Sequence, residues 1–201
     1  MAYFLPDGYV ERLDAPQTYD IGGDDTWQRE VYETALKLSE ALDLTTVLDF
    51  GCGSGFKLMK YFGINPKYTT IGVDLAPAVE ILKRLYPNGW WSTAENLNCL
   101  PPGLLICSDV IEHVNDPGQL CSLFKYIGPR WLVISTPDRE LMARHPKWTN
   151  RMGPPGNQCH VREWSFGEFR QFMDIHFDVV RHFHSNLDQC TQCCICRLKT
   201  P

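Results

Sequence analysis

The sequence predicts an α/β domain: a mostly parallel sheet with helices on both faces, ending in an antiparallel hairpin. Three observations predict it. Short apolar runs of strand length alternate with segments of helical period. Those runs are apolar almost throughout, as strands covered on both sides are. One of them, ending Val47-Leu48-Asp49-Phe50, runs straight into a turn with glycine at 51, 53 and 55. With 201 residues, 44% of them apolar and 21% charged, the chain is sized for one compact domain and is too apolar to be disordered.

Residues 1–26 are expected to form an irregular lead-in broken by Pro6, Pro16 and Gly22-Gly23, and 27–201 the domain. From Trp27 to Leu42, Val31, Ala35, Leu38 and Leu42 recur at helical spacing, with Asp24 or Asp25 able to cap the start. TTVLDF reads as a buried strand and SGFKLMKYF as a helix. TTIGVD is a strand; APAVEILKRLYP is a helix with one proline inside its beginning and another that stops it. GWWSTAE holds a short strand, GLLICSDV a strand, DPGQLCSLFKYI a helix and RWLVISTP a further strand. Residues 137–162 show no period and read as a long, lid-like loop with a helical turn near Arg139–Ala143. Ser165 and Glu168 form a capping box ahead of Phe169, Phe172 and Met173. FDVVRHFHS and CTQCCICRLK, joined through NLDQ, read as an antiparallel hairpin at the sheet edge.

No apolar run approaches the roughly 18 residues of a membrane span, and the N-terminus lacks the basic-then-apolar pattern of a secretion signal. The net charge of −5 removes the long-range attraction to phosphates, which disfavours a nucleic-acid substrate and favours a small molecule. Nine cysteines, an odd count, are read as free thiols, and with them a cytoplasmic location. A homodimer is kept as an expectation.

The glycine turn carries the chemistry. Alternate glycines let the chain turn sharply and leave room for a ligand against the backbone. The spacing is GxGxG after an acid, not the GxGxxG that seats a pyrophosphate on a helix N-terminus. Asp49 beside the turn suits a ligand bearing a positive amino group. One helix later the second strand ends in Asp74, whose carboxylate can accept from both hydroxyls of a ribose. Alone, Asp74 could equally be a surface turn residue; paired with the glycine turn in a strand-helix-strand setting, it reads as a binding residue.

DFGCGSG, GVDLAPA and CSDVIEHVNDP resemble the successive motifs of class I S-adenosylmethionine (SAM)-dependent methyltransferases over roughly residues 27–136. The closest flavour is the ubiquinone-biosynthesis O-methyltransferase-like group. The resemblance implies a Rossmann-like sheet of seven strands whose last strand is antiparallel, and SAM as cofactor. Carried across, Asp49, Gly51, Cys52, Gly53 and Gly55 hold the amino-acid part of SAM and Asp74 its ribose. Leu75 packs on the adenine, Glu95 in Ala94-Glu95-Asn96 lies at the adenine edge, and Asp109 closes the cofactor set.

Asp109, Glu112 and His113 follow the fourth strand. One helical turn would put all three on one side, and oxygen and imidazole ligands together suit Mg²⁺, Mn²⁺, Fe²⁺ or Zn²⁺. The pattern D-x-x-E-H resembles the cation-binding E-x-x-E-H of some ubiquinone O-methyltransferases and of small-RNA 2′-O-methyltransferases. The latter add a Thr-Pro strand end and a histidine before Glu-Trp, matched here by Thr136-Pro137 and by His160 ahead of Glu163-Trp164-Ser165. His160 is therefore a further candidate metal ligand. Asp109 in place of the first Glu shortens that arm, and the basic surface of RNA-modifying relatives is missing. Without metal, His113 is the candidate general base, its ordinary pKa near 6.5 suiting a phenol-like hydroxyl; Glu112 is its catalytic companion.

Tyr19, Trp27, Trp90, Trp91, Trp148 and Trp164 could line an acceptor pocket, and Arg144, His145, Lys147, Arg151 and Arg162 make the long loop basic. Cys190, Cys193, Cys194 and Cys196 offer one CxxC pair without a second, and strand alternation splits Cys193 from Cys194 and Cys196; buried thiols are the better reading than zinc. The expected function is methyl transfer from SAM to a small-molecule acceptor, at oxygen. The alternatives are metal-dependent ribose methylation of RNA and a non-catalytic SAM-binding accessory protein.

Overall fold

The computed structural model describes residues 2–20, 22–145 and 150–199. Seven strands form one sheet: β1 (Thr46–Phe50), β2 (Thr69–Val73), β3 (Trp90–Ser92), β4 (Leu104–Ser108), β5 (Trp131–Pro137), β6 (Asp178–Asn186) and β7 (Thr191–Arg197). Their order is β3-β2-β1-β4-β5-β7-β6, with β3 to β5 parallel to one another and β7 antiparallel to both neighbours. This is the seven-stranded sheet with an antiparallel last strand that the resemblance implies. The hairpin forms as expected, but β7 turns inward and β6 takes the edge. β7 reads as Thr-Gln-Cys-Cys-Ile-Cys and is buried along nearly its whole length, whereas β6 alternates with Arg181 and is largely accessible.

Helices cover both faces. On one lie α1 (Arg29–Ala41), α2 (Phe56–Leu58, continued by a π turn over Met59–Gly63) and α3 (Ala76–Leu85); on the other lie α4 (Pro117–Ile127) and α6 (Phe166–His176). α5 (Arg139–Met142) is one turn after β5. The two-residue strand period sorts the core. Val47, Leu104, Ile106, Val133, Cys193 and Ile195 pack with Val31, Tyr32, Leu58 and Leu82. Leu48, Leu105, Cys107, Leu132, Ile134, Cys194 and Cys196 pack with Phe124, Phe169 and Phe172. Cys193 thus opposes Cys194 and Cys196, and all nine cysteines are free. Local signals act as expected. Asp116 caps α4, which ends on left-handed Gly128; Ser165 and Glu168 complete the capping box of α6.

The lead-in is irregular yet packed. Leu5 belongs to the core, and residues 9–12 bond the long loop: Val10 N–H donates to the Met152 carbonyl (2.8 Å) and Arg12 N–H to the Val161 carbonyl (2.8 Å). That loop is thereby held down between the lead-in and the turn after β4, where Val161 N–H donates to the Glu112 carbonyl (2.8 Å). Arg162, read from sequence as one of the residues that make the long loop basic, is a buried structural cation. Its guanidinium pairs with Glu11, donates to the carbonyls of Val114 (2.6 Å) and Asn115 (2.8 Å), and sits over Tyr3. Trp164 is core, Trp91 packs against Leu82 and Gly72, and Arg151 faces Glu140 (3.6 Å). Trp148 and Lys147 lie outside the described residues. No helix among the described residues is long and apolar enough to cross a membrane.

Candidate active site

In a doubly wound sheet the strand order reverses beside β1, and the loops leaving the carboxyl ends there diverge to opposite faces and open a crevice. A cavity of about 700 Å³ occupies that crevice, within the usual range for small-ligand sites. The carboxyl ends of β1 to β5 all contribute: Phe50–Gly53 at β1, Val73–Ala76 at β2, Thr93–Glu95 after β3, Ser108–Val110 and Glu112–Val114 at β4, and Pro137 ending β5. Gln17–Asp20 of the lead-in and Trp27–Gln28 ahead of α1 form one wall, and Asp188–Cys190 between β6 and β7 another.

The glycine turn adopts conformations other residues strain to reach, with φ of 78°, 53° and 69° at Gly51, Gly53 and Gly55. A Cβ on Gly53 would stand 2.7 Å from the Asp20 carbonyl oxygen, so the lead-in lies directly on the turn. Asp74 is at the cavity wall, accepting from the backbone N–H of Gly53 (2.7 Å) and of Leu75 (2.7 Å). Those bonds fix its carboxylate while leaving lone pairs for a ligand; burial raises its pKa despite both. Leu75, Ala94 and Glu95 line the same end, as does Cys52, whose thiol burial pushes far up.

Asp49 and Gly55 sit beneath the turn, outside the cavity lining. Asp49 is fully buried; its Oδ2 accepts from the Tyr32 hydroxyl (2.8 Å) and its Oδ1 has no partner. Burial lifts its pKa to about 7 against the lowering effects of Tyr32 and Lys57. The bond from Tyr32 holds α1 against β1. Gly55 packs on Leu82 and Trp91.

At the other end, a 3₁₀ turn over Ile111–His113 brings Glu112 and His113 beside His160 of the long loop. One ligand atom from each of these three lies within 4.8 Å of the others. Glu112 is wholly buried, with Oε2 accepting from Thr136 (3.0 Å) and Oε1 unpartnered; burial, then repulsion from Asp109, raises its pKa well above the usual range. His113 Nδ1 faces the Cys159 carbonyl (2.8 Å), which can only accept, so Nδ1 carries the hydrogen and Nε2 the lone pair. Burial, then the neighbouring His160, lowers the His113 pKa to about 4. His160 Nδ1 donates to Glu163 (2.7 Å), leaving its Nε2 toward Asn157 (2.9 Å).

Asp109, expected as a fourth ligand, lies outside this group. Its backbone takes φ 50°, ahead of the 3₁₀ turn and off its face. The carboxylate folds back to accept from the Ser135 hydroxyl (2.6 Å) and from the Gln28 side chain. It remains a lining residue of the cavity. Of the aromatic candidates Tyr19 and Trp27 line it, and of the basic ones His145. Sequence reasoning missed Lys57, Gln28 and Asp20. Lys57 stood two residues after the glycine turn and read as an ordinary helical lysine, and nothing local marks the lead-in as a wall.

The family model described as a methyltransferase domain matches residues 24–191. No curated protein matches the chain. Among solved structures, the methyltransferase domain of bacterial CtHen1 is 18% identical, with 86% of this chain and 99% of that one covered at a TM-score of 0.63. Small RNA methyltransferase HEN1 is 19% identical, covering 92% of this chain but 27% of its own, at 0.62. The plantazolicin methyltransferase BamL, solved with a desmethyl-plantazolicin analogue and S-adenosylhomocysteine (SAH), is 15% identical over 87% of both chains at 0.61. With the fold, the glycine turn and the Asp74 wall in place, the family match settles the class: the chain belongs to the methyltransferase-domain family and is a SAM-dependent methyltransferase.

Proposed function

We propose that the enzyme methylates an oxygen of a small-molecule acceptor delivered to Glu112, His113 and His160. The resemblance of its D-x-x-E-H segment to ubiquinone-biosynthesis O-methyltransferases supports oxygen as the acceptor atom. The observation that carries the reading is the convergence of those three side chains at the cavity end away from Asp74, with one buried Glu112 oxygen left unpartnered. SAM supplies an activated methyl group on a sulfonium. Asp74 positions the ribose, Leu75 and Ala94 flank the base, and the glycine turn admits the ligand against its backbone.

The three side chains fit a divalent cation, Mg²⁺, Mn²⁺, Fe²⁺ or Zn²⁺. Histidine ligands are commonly fixed through their second nitrogen by a carbonyl or carboxylate, and here Cys159 and Glu163 fill those places. Glu112, His113 and His160 would hold the ion, which would stabilise the acceptor as its oxyanion. A buried imidazole with a pKa near 4 is a weak base, so the arrangement suits a ligand better than a lone proton acceptor. Ribose methylation of RNA is the second reading, favoured by the Glu-His…His pattern and the HEN1-like folds. The cavity walls oppose it: Lys57 is their only lysine or arginine among the described residues, against Asp20, Asp74, Asp109, Glu112 and Asp188.

Conversion of SAM to SAH is to be followed over a panel of phenolic and aliphatic hydroxyl acceptors and an RNA 3′ end, with Mn²⁺ and with chelator. Turnover on small hydroxyls, slowed about 10²–10⁴-fold in His113→Ala with SAH affinity held within about twofold, is the expected result. Turnover confined to RNA, or a His113→Ala enzyme as fast as wild type, would overturn it.

A further inference from the structure

The glycine turn offers backbone but no cationic side chain to the amino-acid end of the donor, and that end carries a carboxylate as well as an ammonium. Lys57, in the first turn of α2, has a side chain only 10% exposed and points its Nζ at the cavity side of the glycine turn. A cation that far from water needs counter-charge. Its ion-pair partner is Asp20 at 4.0 Å, the outer limit of such a contact, and Asp20 is itself 66% exposed. The ring of Tyr32 lies 6.0 Å away. Asp20 rests on the turn through its own carbonyl, with Oδ1 accepting from Gly22 N–H (2.7 Å) and Oδ2 toward Lys57. Among the described residues the wall holds no second lysine or arginine to receive a carboxylate.

We infer that Lys57 takes the α-carboxylate of the donor, and that Asp20, released from Lys57, takes its α-ammonium. One loose ion pair inside the protein is exchanged for two to the ligand, and the lead-in is drawn onto the turn as part of binding. Lys57 and Asp20 thereby select the zwitterionic end of the donor, distinct from the nucleoside end read by Asp74. The inference rests on assigning this cavity to SAM.

Calorimetry with SAH and with 5′-methylthioadenosine, which keeps the nucleoside but lacks the amino-acid end, separates the two ends. Lys57→Gln, close in size and uncharged, should lower SAH affinity about 10- to 100-fold and leave 5′-methylthioadenosine within about twofold, which also shows the fold intact. Asp20→Asn should weaken SAH about 3- to 10-fold, less because its carboxylate is solvated. Equal losses for both ligands in Lys57→Gln, or no loss, would overturn the role of Lys57. Tighter SAH binding by Asp20→Asn would show that Asp20 only competes for Lys57 and would overturn its half. A wild-type protein that bound neither ligand would instead overturn the assignment of the cavity, so the two failures are distinguishable.

Discussion

The two ends of the cavity are built differently. The nucleoside side of the proposed donor end is shaped by backbone: left-handed glycines after β1, and Asp74 tied to two main-chain N–H groups after β2. Its parts are neighbours in sequence or one helix apart. The proposed acceptor end is made by side chains drawn from distant segments. Glu112 leans on Thr136 of β5, His113 on the Cys159 carbonyl, and His160 on Glu163. A turn whose geometry is enforced locally tolerates losses around it, whereas a site assembled from three segments depends on each supporting bond. The difference predicts where each end breaks.

Asp74→Ala should be the most damaging single change at the donor end. It removes the ribose acceptor and frees Gly53 N–H, and SAH affinity should fall about 30- to 100-fold by calorimetry. Unchanged affinity would put the ribose elsewhere. At the acceptor end, Thr136→Val keeps shape and deletes the hydroxyl that donates to Glu112 Oε2. Supporting bonds of this kind are worth about tenfold or more in metal affinity. Mn²⁺ titration, read by electron paramagnetic resonance, should show about a tenfold loss while SAH binding stays put. If Thr136→Val weakened both ligands alike, the two ends would not be independent.

The same contrast explains what could be read from residues alone. Strand alternation, the proline and glycine stops and the Ser165–Glu168 box act over a few residues, and the structure reproduces them. That Gly51, Gly53 and Asp74 meet at one cavity wall was legible for the same reason. The inward course of β7 was not, because which hairpin strand lies inside depends on what covers it, not on the turn. The burial of Arg162 was not legible because its partner Glu11 is 151 residues away. Asp109 was misplaced because helical spacing was assumed where the backbone takes a positive φ. His160 came from a resemblance; no local pattern ties it to Glu112. Lys57 and Asp20 meet only once the lead-in has folded over the turn.

Asp49 sharpens the comparison, because motif and structure give it different roles. As a donor ligand it would be ionised, and losing its charge would cost affinity. As the buried partner of Tyr32 it has a folded pKa near 7, raised by desolvation, against about 3.9 in an unfolded chain. Below about pH 4 both states hold the proton. Between about 4 and 7 the folded state keeps a proton that the unfolded chain has released, so stability declines as pH rises through that window and levels off above it. Asparagine cannot ionise, yet still accepts from the Tyr32 hydroxyl, and its amide stands where the protonated acid would place its own hydrogen. Asp49→Asn should therefore melt with wild type near pH 4 and above it at pH 8, by about 5 °C for a chain of this length, while SAH affinity moves less than about threefold. Parallel melting curves across that range, with a large loss of SAH binding, would return Asp49 to the cavity as a further charged side chain on the donor.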